Sequence, residues 1–560
     1  MEKTKAPVET LSEDWAQLPW RKLEQHVYRL QKRIYKASNR GNVQVVHRLQ
    51  QLLMKSHAAR LLAVRRVTQD NQGKKTAGID GVASVPPPAR FTLADQVHPG
   101  NEQKTDPTRR VWIPKPGKTE KRPLGIPTMR ERARQLLALL ALEPEWEALF
   151  EPNSYGFRPG RSCHDAVKAI FTDIRYKPKY VLDADIKGCF DNIDHQALLQ
   201  KLNTYPAMRQ AIKSWLKAGV LENGTTHATD QGTPQGGVIS PLLANIALHG
   251  LEETVRAAFR HREEKPYLIR YADDFVVLHP TKEGVEKAQQ VVSAWLENMG
   301  LVLHPNKTRI THTLENQEGT AGFDFLGFTI RQYPVGKSHT GKLCGNPLGF
   351  KTIITPSKDA VQRHVQELGR IVRKHTATAQ KDLIAQLNPV IRGWSNYYRA
   401  VSAKETLSEC DHLLYGQLRH WARHRHHQKG GTWVKEKYWD ADWRFKTPSG
   451  TMLGRHNDTS IRYHVKIRGA ASPYDGNLIY WAQRLQDHPL TRNNLAKLLK
   501  LQKGKCEYCE LYLRDGDLIE VDHIVPRSMG GQDVWWNKQA LHRHCHDKKT
   551  ACDGSTAKAH

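Results

Sequence analysis

An α+β multidomain architecture is what these 560 residues predict, and three observations carry the prediction. Residues 110–330 mix short β-rich runs with helical stretches, the pattern of a sheet built from antiparallel hairpins. Segments on either side read as basic helices. Four of the eight cysteines crowd after position 505 among histidines. Such clustering at one end of a long chain reads as a metal-bound module, not a disulfide framework. At roughly 150 residues per domain, the length allows three or four units.

Each element has its reason. Leu23, Val27, Leu30 and Ile34 recur at spacings of four, three and four, one face of a helix, with Arg21, Lys22, Arg29, Lys32 and Arg33 around them. Asn39-Arg40-Gly41-Asn42 ends that helix, and Leu49, Leu52 and Leu53 mark a second. The expected hairpin has a basic face that is either solvated or RNA-binding. Gly, Pro and Thr in residues 71–110 predict loops. VWIP, YVLDADI, YLIRY and FVVLHP read as strands, and EGVEKAQQVVSAWLENMG as a helix. Basic helices return from about 356 to 428, through Arg363, Arg370, Arg373 and Lys374. In residues 431–490, Trp433, Tyr438, Trp439, Trp443 and Phe445 lie among cations, as a base-stacking surface or as core. The expected units are 1–105, 106–345, 346–430, 431–495 and 496–560.

Charge narrows the partner. Lys and Arg number 85 against 57 Asp and Glu, a net +28, which calls for a large polyanion, most commonly nucleic acid. A membrane partner is not expected: the longest wholly apolar run, Leu136–Leu142, is far below the roughly 20 residues of a spanning helix. No apolar leader follows the first residues, so secretion is not expected and the cytoplasm is the expected location. With 39% apolar residues and 14 Trp, the chain can build cores. In residues 501–560 six Lys and three Arg balance nine Asp and Glu, so the positive charge sits in the body.

PYLIRYADDFVVLHP (266–280) places Asp273 and Asp274 between two apolar runs, as at a hairpin tip. Adjacent carboxylates there are expensive unless a cation neutralises them. Their side chains point differently, so one of the two is better placed to bridge metals. YVLDADI (180–186) puts Asp183 and Asp185 on one strand face. Two strand-borne carboxylate groups are what a two-Mg²⁺ phosphoryl-transfer site needs.

These residues resemble reverse transcriptases of the group II intron-encoded class. Tyr271-Ala272-Asp273-Asp274 looks like the family's YxDD box and Asp185 like its first catalytic aspartate, with Asp183 the rejected neighbour. RPLGIP (122–127), SYGFRPG (154–160), QGTPQGG (231–237), PNKT (305–308) and FLGF (325–328) follow in the family's order. The resemblance implies a right-hand polymerase: a basic helical extension (1–105), fingers and palm (106–345) and a helical thumb or maturase domain (346–430). Asp185, Asp273 and Asp274 would be catalytic, with Asp185 and Asp273 holding Mg²⁺. Lys115 and Arg122 flank a Gly/Pro-rich turn suited to gripping triphosphate. Gln235 and Gly236 would line the nucleotide pocket, where glycine lets backbone approach closely. Ser240 is expected to cap a helix with Pro241 at its first position. Phe190 matches the family's gate against a 2′-hydroxyl, or is a core Phe.

GWSNYYR (393–399) resembles the maturase segment, whose Tyr and Arg at a helix surface can stack on bases. After a DNA-binding region (431–495), two pairs at x₂ spacing, Cys506/Cys509 and His542/Cys545, suit tetrahedral Zn²⁺. His544 and Cys552 are alternatives for the fourth ligand. Residues 496–560 resemble HNH endonucleases with a zinc-bound ββα-metal fold. By that resemblance His523 is the general base, Asn537 orients the base or contacts the site, and Asp522 with His546 holds a divalent ion. The implied function is intron mobility: reverse transcription with dNTPs, splicing help to structured group II intron RNA, and nicking of double-stranded target DNA for target-primed synthesis. A splicing-only RNA chaperone and a polymerase–nuclease fusion in defence are the alternatives.

Overall fold

The computed structural model describes residues 15–101, 104–114, 120–260, 264–317, 321–336, 339–485, 493–513 and 517–553. Three helices, Trp20–Asn39, Val43–Lys55 and His57–Arg65, open it. Val27, Leu30 and Ile34 are buried as the spacing requires, while Arg21, Lys22, Arg29 and Arg33 stay exposed. Gly41 turns the chain at φ 66°, and the Asn42 side chain accepts from the Val45 N–H. Leu52, expected inside, is exposed. These helices pack on Met129–Leu149, whose apolar run Leu136–Leu142 is a core helix element.

A small sheet pairs Thr108–Pro114 with Lys121–Ile126, antiparallel from Arg109 opposite Ile126 to Pro114 opposite Lys121. The central sheet orders four antiparallel strands as Tyr267–Tyr271, Asp274–His279, Tyr180–Asp185 and Arg309–His312. Both its faces are covered, so Phe275-Val276-Val277-Leu278 is a continuous buried run and does not alternate. Leu182, Ala184 and Val277 face Met129–Leu149 and Lys282–Glu297. Val181, Ile269 and Val276 face the helix Cys163–Ile174 and a second sheet of Phe323–Phe325, Phe328–Pro334 and Phe350–Pro356. Mixed α/β with antiparallel hairpins is the architecture found.

Helices Lys358–Lys374, Gln380–Tyr398 and Lys404–Arg425 share a core of Leu368, Leu387, Leu414 and Trp421. Tyr438, Trp439 and Phe445 join that same core, while Trp433 and Trp443 are exposed. The GWSNYYR tyrosines differ from the expected base-stacking surface. Tyr397 and Tyr398 donate to the carbonyls of Leu326 (3.2 Å) and Gly327 (3.1 Å), bracing a turn in which both residues have positive φ.

Helix Leu478–Leu485 sends Trp481 toward Cys163–Ile174. Its other face, through Ile479 and Ala482, packs with Leu498, Leu499, Cys506 and Leu541. Strands Ile519–His523 and Lys538–His542 pair antiparallel and lead into helix Arg543–Cys552, a ββα unit. Among the described residues, no helix is long and apolar enough to cross a membrane.

Candidate functional sites

The hairpin tip is built by a backbone feature. Ala272 has φ 57°, so the chain reverses in two residues and delivers Asp273 and Asp274 at the end of the sheet. Asp274 stands opposite Asp185 in register. A cavity of about 800 Å³ opens beside them, lined by Asp185, Asp273, Arg122, Phe190, Gln235 and Lys307 among others. Burial and the Asp273 and Asp185 carboxylates push Asp274 up to about 7. Asp273 is raised by burial and by Asp185. Crowded hard-oxygen donors that resist ionising together fit a divalent cation such as Mg²⁺. The Lys307 ammonium pairs with Asp185. Asp183 is instead paired with Arg309 at 3.1 Å.

The pocket's other wall joins distant segments. The Gly125 N–H donates to the Gln235 carbonyl at 2.7 Å. Gly236 has φ 109°, and a Cβ there would stand 3.0 Å from the Gly125 carbonyl oxygen. The Gln235 amide donates to both Asp191 carboxylate oxygens at 3.1 Å. Phe190 lies on the short helix Cys189–Asn192, edge-on to Phe157 at 6.2 Å. Phe157 is exposed at φ 57°. Lys115 lies outside the described residues. Ser240 does not cap its helix: Ile239 takes that position, and the Ser240 hydroxyl donates to the Pro234 carbonyl at 2.8 Å.

Three residues here escaped the sequence reading of the site. Phe157, Lys307 and Asp191 all lie in or beside quoted motifs, but their roles depend on partners far away in the chain.

In the terminal unit, ligand atoms of Cys506, Cys509, His542 and Cys545 lie within 4.8 Å of one another. His542 turns Nδ1 toward the sulfurs of Cys509 (3.4 Å) and Cys545 (4.0 Å), and Nε2 toward Asp517 at 3.4 Å. Three soft sulfurs and one imidazole, all cysteines being free, fit Zn²⁺. The carboxylate behind His542 is the usual outer partner that fixes ring orientation. His544 stacks on His542 outside this group, and Cys552 is exposed.

His523 ends its strand with Nε2 3.0 Å from Asp533, which Lys538 also holds at 2.7 Å. Those two partners keep Asp533 down at about 2. Asp522 receives Lys549 at 3.0 Å and lies 3.7 Å from His546. The Asn537 side chain is fully engaged with loop backbone: it accepts from the Val525 N–H (2.8 Å) and donates to the carbonyls of Val525 (3.0 Å) and Gln532 (2.9 Å).

Several parts of the chain match known families. Residues 113–330 match the family described as reverse transcriptase (RNA-dependent DNA polymerase), and 15–97 its N-terminal domain. Residues 361–439 match the group II intron maturase-specific domain and 506–551 the HNH endonucleases. The group II intron-encoded protein LtrA of Lactococcus lactis subsp. cremoris is 27% identical over 514 residues, 77% of this chain and 82% of LtrA. Protein YkfC of Escherichia coli K12 is 34% identical over 317 residues, 48% of this chain and 80% of YkfC. A 91 kDa protein in the cob intron of Schizosaccharomyces pombe is 29% identical over 364 residues, 53% of this chain and 44% of that protein.

Proposed function

The chain belongs to the group II intron-encoded reverse transcriptases that carry a maturase domain and an HNH endonuclease, and from that premise we propose how its residues divide the work. It is an RNA-directed DNA polymerase and a DNA endonuclease serving intron mobility. One observation carries the residue assignment: Asp185 and Asp273 meet at the cavity that Arg122, Phe190 and Gln235 also line.

In this reading Asp185 and Asp273 hold Mg²⁺, with Asp274 beside them. Mg²⁺ held there would supply Lewis-acid charge, making a primer 3′-hydroxyl more acidic and easing departure of pyrophosphate. Arg122 and Lys115 grip the triphosphate. Gly236, lacking a Cβ, lets the nucleotide loop close on the Gly125 backbone, and Asp191 fixes the Gln235 amide that orients the nucleotide. Phe190 closes the sugar side against a 2′-hydroxyl. The basic body binds structured intron RNA.

The terminal unit nicks double-stranded target DNA. Cys506, Cys509, His542 and Cys545 would hold a structural Zn²⁺, and Asp522 and His546 would hold a divalent ion lending charge to phosphodiester cleavage once Lys549 yields Asp522. His523 is the general base. Its Nε2 is committed to Asp533, so Nδ1 takes the proton from the attacking water. Asn537 is a positioning residue that braces the loop beyond His523.

Two variants test the division. Asp273→Ala is expected to abolish primer extension while RNA binding stays within a few-fold, because the basic surfaces are untouched. His523→Ala is expected to slow strand nicking by about 10²–10⁴-fold and leave extension intact. Near-normal extension by the first variant, or loss of both activities in the second, overturns the assignment.

A further inference from the structure

The acidic turn is anchored from behind by a closed ring of contacts. The Asn245 amide donates to the Gly156 carbonyl at 2.8 Å and accepts from Arg270 Nη1 at 2.9 Å. The same Nη1 donates to the Ala272 carbonyl at 3.2 Å. Gly156 closes the ring by packing on the turn, where a Cβ would stand 2.3 Å from the Ala272 nitrogen. Backbone bonds clamp both sides: Tyr155 N–H to the Arg270 carbonyl and Arg270 N–H to the Asn153 carbonyl, each 2.9 Å.

Two facts argue that this ring does more than fill space. Arg270 and Asn245 are 2% and 1% exposed, and enclosing a guanidinium is costly where an apolar side chain would pack as well. Its Nη2 has no hydrogen-bond partner among the described residues. And the residue it pins, Ala272, holds a positive φ that a residue with a Cβ adopts reluctantly. Asn245 also lies on helix Ser240–Leu248, whose leading loop carries Gln235 and Gly236. One buried amide therefore joins the nucleotide loop to the acidic turn.

We infer that Asn245 and Arg270 are positioning residues of the polymerase: they hold the Ala272 peptide left-handed so that Asp273 faces Asp185, and they tie that geometry to the nucleotide loop. The inference rests on the assignment of Asp185 and Asp273 as the polymerase centre.

The test uses the full-length protein with Asn245→Ala, Arg270→Met and Arg270→Lys, alongside the wild type. Amide hydrogen exchange of residues 268–275, measured without metal, is expected to quicken in Asn245→Ala. Single-nucleotide extension at saturating dNTP is expected to slow by about 100-fold, the scale of an ångström-sized misplacement, with KM for dNTP changed less than about threefold. Arg270→Lys, which keeps one donor, is expected to recover part of the rate that Arg270→Met loses. If Arg270→Met fails to fold, Asn245→Ala decides alone. Unchanged exchange with extension within twofold overturns the inference. So does a uniform loss of melting temperature, nicking and extension, which marks core support only. Quickened exchange with normal extension has a different meaning: the turn would not be the polymerase centre, and the underlying assignment would fall.

Discussion

Phe190 shows what one side chain is asked to do. Its carbonyl accepts from the Thr233 N–H at 2.6 Å, its ring stands edge-on to Phe157, and it lines the cavity beside Asp185. Phe190→Ala is expected to raise ribonucleotide incorporation relative to deoxyribonucleotide by at least tenfold, read from single-nucleotide extension with matched rNTP and dNTP. An unchanged ratio makes it a core Phe. That Asp185 and Asp273 share one cavity, and that Cys506, Cys509, His542 and Cys545 cluster, was legible in sequence because such chemistry demands particular residue types at short spacings. Asp191, Lys307 and Asp533 were not: Asp191 acts on Gln235, 44 residues on, and only the fold brings them together. Ser240 was misread as a cap because a short loop offered its hydroxyl the Pro234 carbonyl.

At the scale of elements, periodicity located the first helix and its buried face. It did not reveal the third N-terminal helix, His57–Arg65, whose run of alanines and leucines has little amphipathic contrast. Nor could composition separate buried Tyr438 and Phe445 from exposed Trp443, since all three sit in one aromatic stretch. The terminal ββα unit has a small core, so its metal is expected to be its fold. Cys506→Ser is expected to lose zinc, become protease-sensitive after residue 495 and stop nicking, while extension persists; a zinc-free, protease-resistant variant would falsify this. Helix Met129–Leu149 carries a titration of its own. Burial pushes Glu143, which accepts from the Tyr474 hydroxyl, up to about 7. Between its ordinary value near 4.5 and 7, the folded chain keeps a proton that the unfolded chain releases. Its stabilising contribution is therefore full below about 4.5 and lost as pH rises through 7. Melting temperature is expected to fall from pH 5 to 8, and Glu143→Gln to flatten that fall. Glu145, also raised to about 7 by burial, supplies the remainder.

Over the whole molecule, charge separates the tasks. RNA affinity is expected to fall steeply with salt as phosphate contacts release counterions. Removing residues 496–560 is expected to change that slope little, because their eleven basic and nine acidic residues leave a net charge of only +2 out of +28. Binding titrations at several salt concentrations, with and without the module, check this. A slope that collapses on truncation would place the RNA on the nuclease instead.

Helix Leu478–Leu485 gives the two enzymes a common gauge. Trp481 packs beneath Gly160, where a Cβ would stand 2.4 Å from its ring, and Arg484 grips the buried Asp165 carboxylate with two bonds of 2.7 Å. The opposite face of the same two turns belongs to the nuclease core. One helix thus contributes side chains to the body and to the terminal unit alike. A change on either face of these two turns would then be felt on both sides at once, as a shared keystone transmits the settling of either arch.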